Sequence, residues 1–366
     1  MSLDFIPPAK PIIGDDERAA VDRVLRSGMI AQGPEVAAFE KEFADQLVAG
    51  RDCVAVASGT AGLYLGLLAA GVGPGDQVIV PSFTFAATAN SVALTGATPV
   101  FADIDPDYFC LDPAAVEAAI TPQTRGIMPV HLYGQPADMD ALVPLAKAKG
   151  LELYEDAAQS HGSSLHGQMC GSWGLFAMFS LYATKNMTTG EGGMVSCATP
   201  QMVHTVKLLR NQGMERQYAN ELIGLNERMT DIQAAIGRVQ LSKLAAWTAA
   251  RQANAAFFDA NLQGVVVPKV RPGAVHVYHQ YTIKVDGDRD AIVKALKEEH
   301  GVGSGAFYPT PNHQLASLKQ FAPGLDLPQT AKAAAQVLSL PVHPSLTEAD
   351  RERIVTAVNT VVKAGA

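Results

Sequence analysis

Basic stretches are missing from this sequence of 366 residues. Asp and Glu number 36 against 28 Lys and Arg, a formal charge of −8. No Lys/Arg-rich run or basic amphipathic helix offsets that balance, which argues against nucleic acid, since phosphates are bound by a positively charged face. Cysteine is scarce too: Cys53, Cys110, Cys170 and Cys197 are scattered and form no CxxC pair. Neither a zinc site nor a disulfide scaffold is expected, and three of the four, in apolar or small-residue contexts, read as core thiols. His131 and His161 belong to no HExxH or HxxxH spacing, so no metal is expected. No apolar run approaches the ~20 residues of a membrane helix. Met1-Ser2-Leu3-Asp4-Phe5 carries neither the basic nor the apolar region of a signal peptide. The expectation is a soluble, cytoplasmic protein. GxxxxGK[ST] and GxSxG are also absent. Gly71, Gly73 and Gly75 follow a helical pattern rather than a strand, the wrong context for a dinucleotide fingerprint.

What is present is apolar residue, 48% of the chain, with 17% charged, enough for a sizeable core. The length suggests two domains. Asp15 and Asp16 open a helix that Ser27-Gly28 closes, and Gly33-Pro34 starts another. Short β-type runs then alternate with helical patterns. Strands are expected near 53–57, 77–80, 99–104, 126–130 and 151–155, and helices near 63–68, 86–94, 113–120 and 139–149. The strands are nearly all apolar, as in a parallel sheet covered on both faces. The fold class expected is therefore α/β, a mostly parallel open sheet with its site at the carboxyl ends of the strands. A long helical pattern from Thr230 to about Leu262 leads to a β run at 275–285. That divides the chain into a large domain, 1–250, and a smaller α+β domain, 251–366.

The stretch 151–195 organises the chemistry. An apolar strand ends in Glu155-Asp156 and runs on through Gln159 to His161. A second apolar run, 176–182, delivers Lys185 into a loop that closes on Gly190-Glu191-Gly192-Gly193. A lysine amine for a Schiff base and a carboxylate to keep a pyridine nitrogen protonated are what a pyridoxal phosphate site requires. Ser58-Gly59-Thr60-Ala61-Gly62, between a strand and a helix, exposes backbone N–H groups where a phosphate is stabilised; taken alone it reads first as a simple Ser N-cap. Alternation puts Phe83 and Phe85 on one side of their strand end, so at most one need stack on a flat ring. His131 and Tyr133 either line the cleft or are structural, and His161 has the same two readings. Arg228, in the turn before Thr230-Asp231, either reaches an anion or pairs with Asp231. The proline-stiffened Phe307-Tyr308-Pro309-Thr310-Pro311-Asn312-His313 either borders a substrate pocket or only connects elements.

Together, Ser58-Gly59-Thr60, Glu155-Asp156-Ala157-Ala158-Gln159, Phe179-Ser180 with Lys185, Gly190-Glu191-Gly192-Gly193 and Asn226-Glu227-Arg228-Met229 resemble the DegT/DnrJ/EryC1/StrS sugar aminotransferases. These are fold type I pyridoxal phosphate enzymes, and the resemblance covers nearly the whole chain. It implies pyridoxal 5'-phosphate joined to Lys185, with Asp156 on the pyridine nitrogen, Gln159 on the ring hydroxyl and Phe85 against the ring. It implies a phosphate held by Gly59, Thr60, Ser180 and Asn226 of a partner subunit, hence a homodimer with shared sites. Arg228, Tyr308 and His313 match positions where relatives meet substrate. Lys185, where some relatives carry histidine and act as dehydratases, favours transamination. The reaction implied moves an amino group, from glutamate, to a nucleotide-linked keto-sugar by way of pyridoxamine phosphate. Two rivals stand beside it: another fold type I enzyme acting on an amino acid, and a non-catalytic regulatory relative.

Overall fold

The structure, a computed structural model, describes residues 4–364. Met1, Ser2 and Leu3, part of the N-terminal stretch read for a signal peptide, lie outside them. Helix α1 (Asp15–Ser27) begins on three acids, which suit the positive end of a helix, and stops at Gly28, whose φ of 74° is left-handed. Helix α2 (Pro34–Leu47) starts on its proline. Strands and helices then alternate as β1 (Cys53–Val56), α3 (Gly59–Ala69), β2 (Gln77–Pro81), α4 (Ala87–Leu94), β3 (Thr98–Ala102), α5 (Pro113–Ala118), β4 (Thr124–Ile127), α6 (Met139–Lys149) and β5 (Glu152–Asp156). A short ribbon, β6 (Ser164–Leu165) and β7 (Gln168–Met169), precedes β8 (Phe176–Ser180) and β9 (Gly193–Cys197). Helix α7 (Pro200–Leu209), the hairpin β10 (Met214–Arg216) and β11 (Ala219–Asn220), and the 31-residue α8 (Asp231–Asn261) follow. The chain ends with β12 (Ala274–Val275), β13 (Tyr281–Lys284), α9 (Arg289–Glu298), α10 (Pro328–Gln336), β14 (Val337–Leu340) and α11 (Glu348–Ala364).

Seven strands form one sheet in the order β1-β9-β8-β5-β4-β2-β3. All run parallel except β9, which is antiparallel to both its neighbours. An all-apolar strand fits a two-sided core in either direction, so its composition does not encode its polarity; β9 is buried at every position. The reversal has a use. Because β9 returns directly along β8, the connecting loop 181–192, which carries Lys185, stays at the carboxyl end of β8. A parallel successor would require a crossover away from that edge.

Helix α3 lies close against β8 and β9 because its inner face is glycine. A Cβ on Gly62 would stand 2.8 Å from Met178 Cγ, and one on Gly66 2.5 Å from the Phe176 ring. Small residues there let the helix N-terminus sit directly over the strand ends. Helix α8 ties the N-terminal helices down. Its Thr230 cap forms a capping box with Gln233, and Asp231 Oδ1 accepts from the N–H groups of Gly33 (2.8 Å) and Val36 (3.0 Å), capping α2. Leu241 and Leu244 of α8 join the core under α2, whereas Ala255 and Phe258 join a separate core with β13, β14 and α11. The expected strand 275–285 is two pieces, broken where Tyr278 takes a left-handed φ of 44° with its ring stacked on His276. Among the described residues no helix is long and apolar enough to cross a membrane.

Candidate active site

A cavity of about 600 Å³ opens at the carboxyl ends of β1, β2, β5 and β8. Its floor comes from three loops. Ser58, Gly59 and Thr60 follow β1, Thr84 and Phe85 follow β2, and Asp156, Ala158 and Gln159 end β5. Ser180, Tyr182, Thr184 and Lys185 come from the end of β8, and Ala306–Pro309 form an outer wall with His279.

At the N-terminus of α3 the Ser58 hydroxyl accepts from Ala61 N (3.1 Å), and Ser58 O accepts from Gly62 N (3.0 Å). The N–H groups of Gly59 and Thr60 have no partner among the described residues. Two free donors at the positive end of a helix, beside the Ser180 hydroxyl, make an anion seat.

Asp156 is 4% exposed. Its Oδ2 accepts from Thr88 Oγ1 at 2.7 Å and its Oδ1 from Ala158 N at 3.1 Å. Among the described residues no cationic side chain lies within ion-pair distance of it, and burial raises its pKa. Lys185 is partly buried, and its amine has neither a hydrogen bond nor an ion pair among the described residues. Burial lowers its pKa from 10.5 to about 8, against the opposing pull of Asp156. An amine poised near neutrality, a buried carboxylate that lacks its cation, and an anion seat therefore share one cavity. They suit a ligand with a carbonyl, a cationic ring nitrogen and an anionic group.

Gln159 is held from both sides: Oε1 accepts from Tyr133 N (2.7 Å) and Nε2 donates to Tyr308 Oη (3.1 Å). One amide hydrogen remains for a ligand. Phe83 is 0% exposed and Phe85 60% exposed, so Phe83 belongs to the core and Phe85 to the cavity, its ring 6.0 Å from that of Tyr308. Of the positions singled out in the sequence, Gly59, Thr60, Phe85, Asp156, Gln159, Ser180, Lys185 and Tyr308 line this one cavity.

Asn226, Arg228 and His313 are not among its lining residues. Asn226 and Arg228 are exposed in the turn before α8. Arg228 Nη1 donates to Asn211 Oδ1 at 2.6 Å, not to Asp231, which is occupied in capping α2. His313 is buried against Ser82. The other two histidines singled out, His131 and His161, lie outside the cavity. His131 Nδ1 accepts from Ala137 N while Nε2 faces Glu155 at 3.0 Å, and His161 lies buried between Phe43 and Phe179 with its pKa lowered to about 3 by burial. Thr88 and His279 had no signal in the sequence. Thr88 falls one turn into α4 beyond Phe85, and His279 comes from a segment distant in the chain.

Residues 11–359 match the model of the DegT/DnrJ/EryC1/StrS aminotransferase family. The chain is 41% identical over 345 residues to the dTDP-3-amino-3,4,6-trideoxy-alpha-D-glucose transaminase of Streptomyces venezuelae, covering 93% of this chain and 90% of that protein. It is 40% identical over 349 residues to a UDP-N-acetyl-3-dehydro-alpha-D-glucosamine 3-aminotransferase of Acidithiobacillus ferrooxidans, covering 94% and 93%. Among solved structures, it superposes with a TM-score of 0.93 on the PLP-form of a putative sugar aminotransferase of Streptococcus pneumoniae, at 29% identity over 99% of this chain and 100% of that one.

Proposed function

The chain belongs to the DegT/DnrJ/EryC1/StrS aminotransferase family, and on that footing we propose that it moves an amino group from glutamate to C3 of a keto-sugar carried on a nucleotide, using pyridoxal 5'-phosphate. The observation that carries the reading is the unpaired Lys185 amine and the cation-less Asp156 carboxylate in one cavity with the free N–H groups of α3. The two relatives whose names place the nitrogen at position 3 support the acceptor, and their different nucleotides leave the base open. Glutamate follows from the family resemblance.

The residues fit the cofactor. Gly59 N, Thr60 N and Ser180 Oγ would hold its phosphate, Asp156 its ring nitrogen and Gln159 its ring hydroxyl, and Phe85 would cover a ring face. Bound there, it supplies a ring that accepts electrons from the carbon losing its proton. Lys185 Nζ would anchor the cofactor and would be the base that moves a proton at the substrate carbon, its lowered pKa matching that task. Asp156, oriented by Thr88 and Ala158, would hold the ring nitrogen's proton in place. Asn226 and Arg228, exposed outside the cavity, act in the site of a second subunit. The projecting apolar Tyr218 and Ile223, 87% and 95% exposed, support such a homodimer. A division near residue 250, inside α8, into cofactor-binding and small domains and a cytoplasmic location belong to the same reading.

The test is purified protein supplied with cofactor, then glutamate, then a panel of nucleotide-linked 3-keto-sugars. We expect a visible absorbance band, its loss with release of 2-oxoglutarate, and its return with a 3-amino sugar. A protein that stays colourless, or a band indifferent to glutamate, would overturn the assignment.

A further inference from the structure

We infer that Ser82 and His313 form a latch that positions the strap 305–314 over the cavity, so that His313 governs acceptor binding through Ser82 rather than by touching the sugar. The inference deepens the reading above and rests on it for the identity of the acceptor. The strap is fixed at both ends. Gly305 pairs with Ser339 of β14 in both directions, Gly305 N donating to Ser339 O (3.3 Å) and Ser339 N to Gly305 O (2.8 Å). At the far end three bonds go to one residue: Asn312 N donates to Ser82 O (2.9 Å), His313 N donates to Ser82 Oγ (3.1 Å), and Ser82 Oγ and His313 Nδ1 share a hydrogen bond (2.6 Å).

Between these ends the cavity wall is made by Ala306–Pro309, steadied by the Tyr133 hydroxyl on Phe307 O and by Gln159 on Tyr308 Oη. Pro309 and Pro311 have no N–H to offer, so the stretch past Tyr308 depends on the anchor that follows it. Ser82 also sits two residues before Thr84 and three before Phe85, both in the cavity. One buried hydroxyl thus joins the loop beneath the ligand to the strap beside it.

A serine 2.6 Å from a histidine suggests a nucleophile and its base, but the burial excludes that use. Ser82 is 0% exposed, and its oxygen is engaged twice by the same histidine, at the backbone N–H and at Nδ1. Burial, which lowers the His313 pKa, keeps the imidazole neutral, and in either neutral tautomer Nδ1 and Ser82 Oγ can share one hydrogen bond. The pair is a fastening, and both members are positioning residues.

The test uses Ser82→Ala, His313→Ala, the double variant and His313→Asn, whose side-chain amide can replace Nδ1 as donor or acceptor. In the cofactor-loaded enzyme, either alanine variant should raise KM for the keto-sugar about tenfold, the scale of one or two neutral hydrogen bonds. Turnover should stay within about threefold, because the strap orders the site without joining the chemistry. The double variant should be no worse than the poorer single one, as expected of partners in one interaction, and His313→Asn should recover most of the loss. An unchanged KM in Ser82→Ala beside a raised KM in His313→Ala would mean that His313 meets substrate directly, and would overturn the latch. Hydrogen exchange on the cofactor-free protein gives a second decision. The amides of 306–314 should exchange about tenfold faster in Ser82→Ala with the seven-stranded sheet unaffected, and unchanged exchange there would also overturn it. That arm holds even if no keto-sugar is turned over, so failure of the latch and failure of the proposed reaction can be told apart.

Discussion

Glu155 and Asp156 are neighbours on β5, and their carboxylates serve opposite faces of the sheet. Glu155 accepts from Gly171 N (2.7 Å), Trp173 N (2.8 Å), Gly174 N (2.7 Å) and His131 Nε2 (3.0 Å), which fastens the loop leading into β8. Asp156 faces the cavity with Thr88 and Ala158 as its only partners among the described residues. The period of two along a strand therefore turns one acid into the loop before β8 and the other into the cavity. Isosteric amides at the two positions should separate these roles.

Asp156→Asn should fold normally and bind cofactor more weakly. It exchanges a charge-assisted contact for a neutral one, a loss of ~1.5–3 kcal/mol, or roughly tenfold to a hundredfold in Kd. Turnover should fall further, since a neutral amide no longer holds the ring nitrogen protonated. Cofactor titration followed by absorbance, with steady-state rates, checks both. Wild-type activity would remove Asp156 from its assigned role.

Glu155→Gln should behave in the opposite way. An amide nitrogen would face backbone N–H donors, and a buried network broken on one side loses ~3 kcal/mol or more. Denaturant unfolding of the cofactor-free protein should show that loss, while the folded fraction keeps cofactor affinity within a few-fold of wild type.

Lys185→Met should abolish covalent cofactor attachment and turnover, yet stabilise the cofactor-free protein. The sign follows from the lowered pKa. The folded chain holds the proton on Lys185 only below about 8, whereas the unfolded chain holds it up to about 10.5, so folding is penalised in full below pH 8. The penalty fades as pH rises towards 10.5. Its ceiling is ~3 kcal/mol, less the part relieved by water reaching the amine through the cavity. Thermal unfolding at pH 7 and pH 10.5 should show a gain for the variant at the lower pH and little at the higher.

The same shift sets the pH profile of cofactor capture. Only the neutral amine attacks a carbonyl, so the rate at which the cofactor-free protein acquires its visible band should climb about tenfold per pH unit and level off near pH 8. A profile still rising at pH 10 would mean that burial does not depress this lysine.

Much of the layout was legible because it is local. The acids of α1, Gly28 and the proline opening α2 mark helix ends by backbone chemistry that needs no tertiary partner. The nearly all-apolar strands announced a covered sheet, and the lysine loop after 176–182 falls where the motif put it. What stayed hidden depends on distant contacts. The direction of β9 is invisible because each of its residues is buried whichever way it runs. Alternation left Phe83 and Phe85 equivalent, and only the packed fold, which buries Phe83 and leaves Phe85 open to the cavity, separates them. Thr88 beneath Asp156 and Ser82 beneath His313 are ordinary hydroxyl residues until the fold brings a carboxylate or an imidazole to them.

The reversed strand also orders the birth of the molecule. Its pairing with β8 spans one loop, but its other edge must find β1, with Cys53 opposite Ser196, about 140 residues back along the chain. As the polypeptide leaves the ribosome, β1 waits without its sheet neighbour until β9 has emerged, and the anion seat that follows β1 is assembled only then. The lysine loop comes out just ahead of that closing strand, so both halves of the cofactor site are completed by the same late pairing.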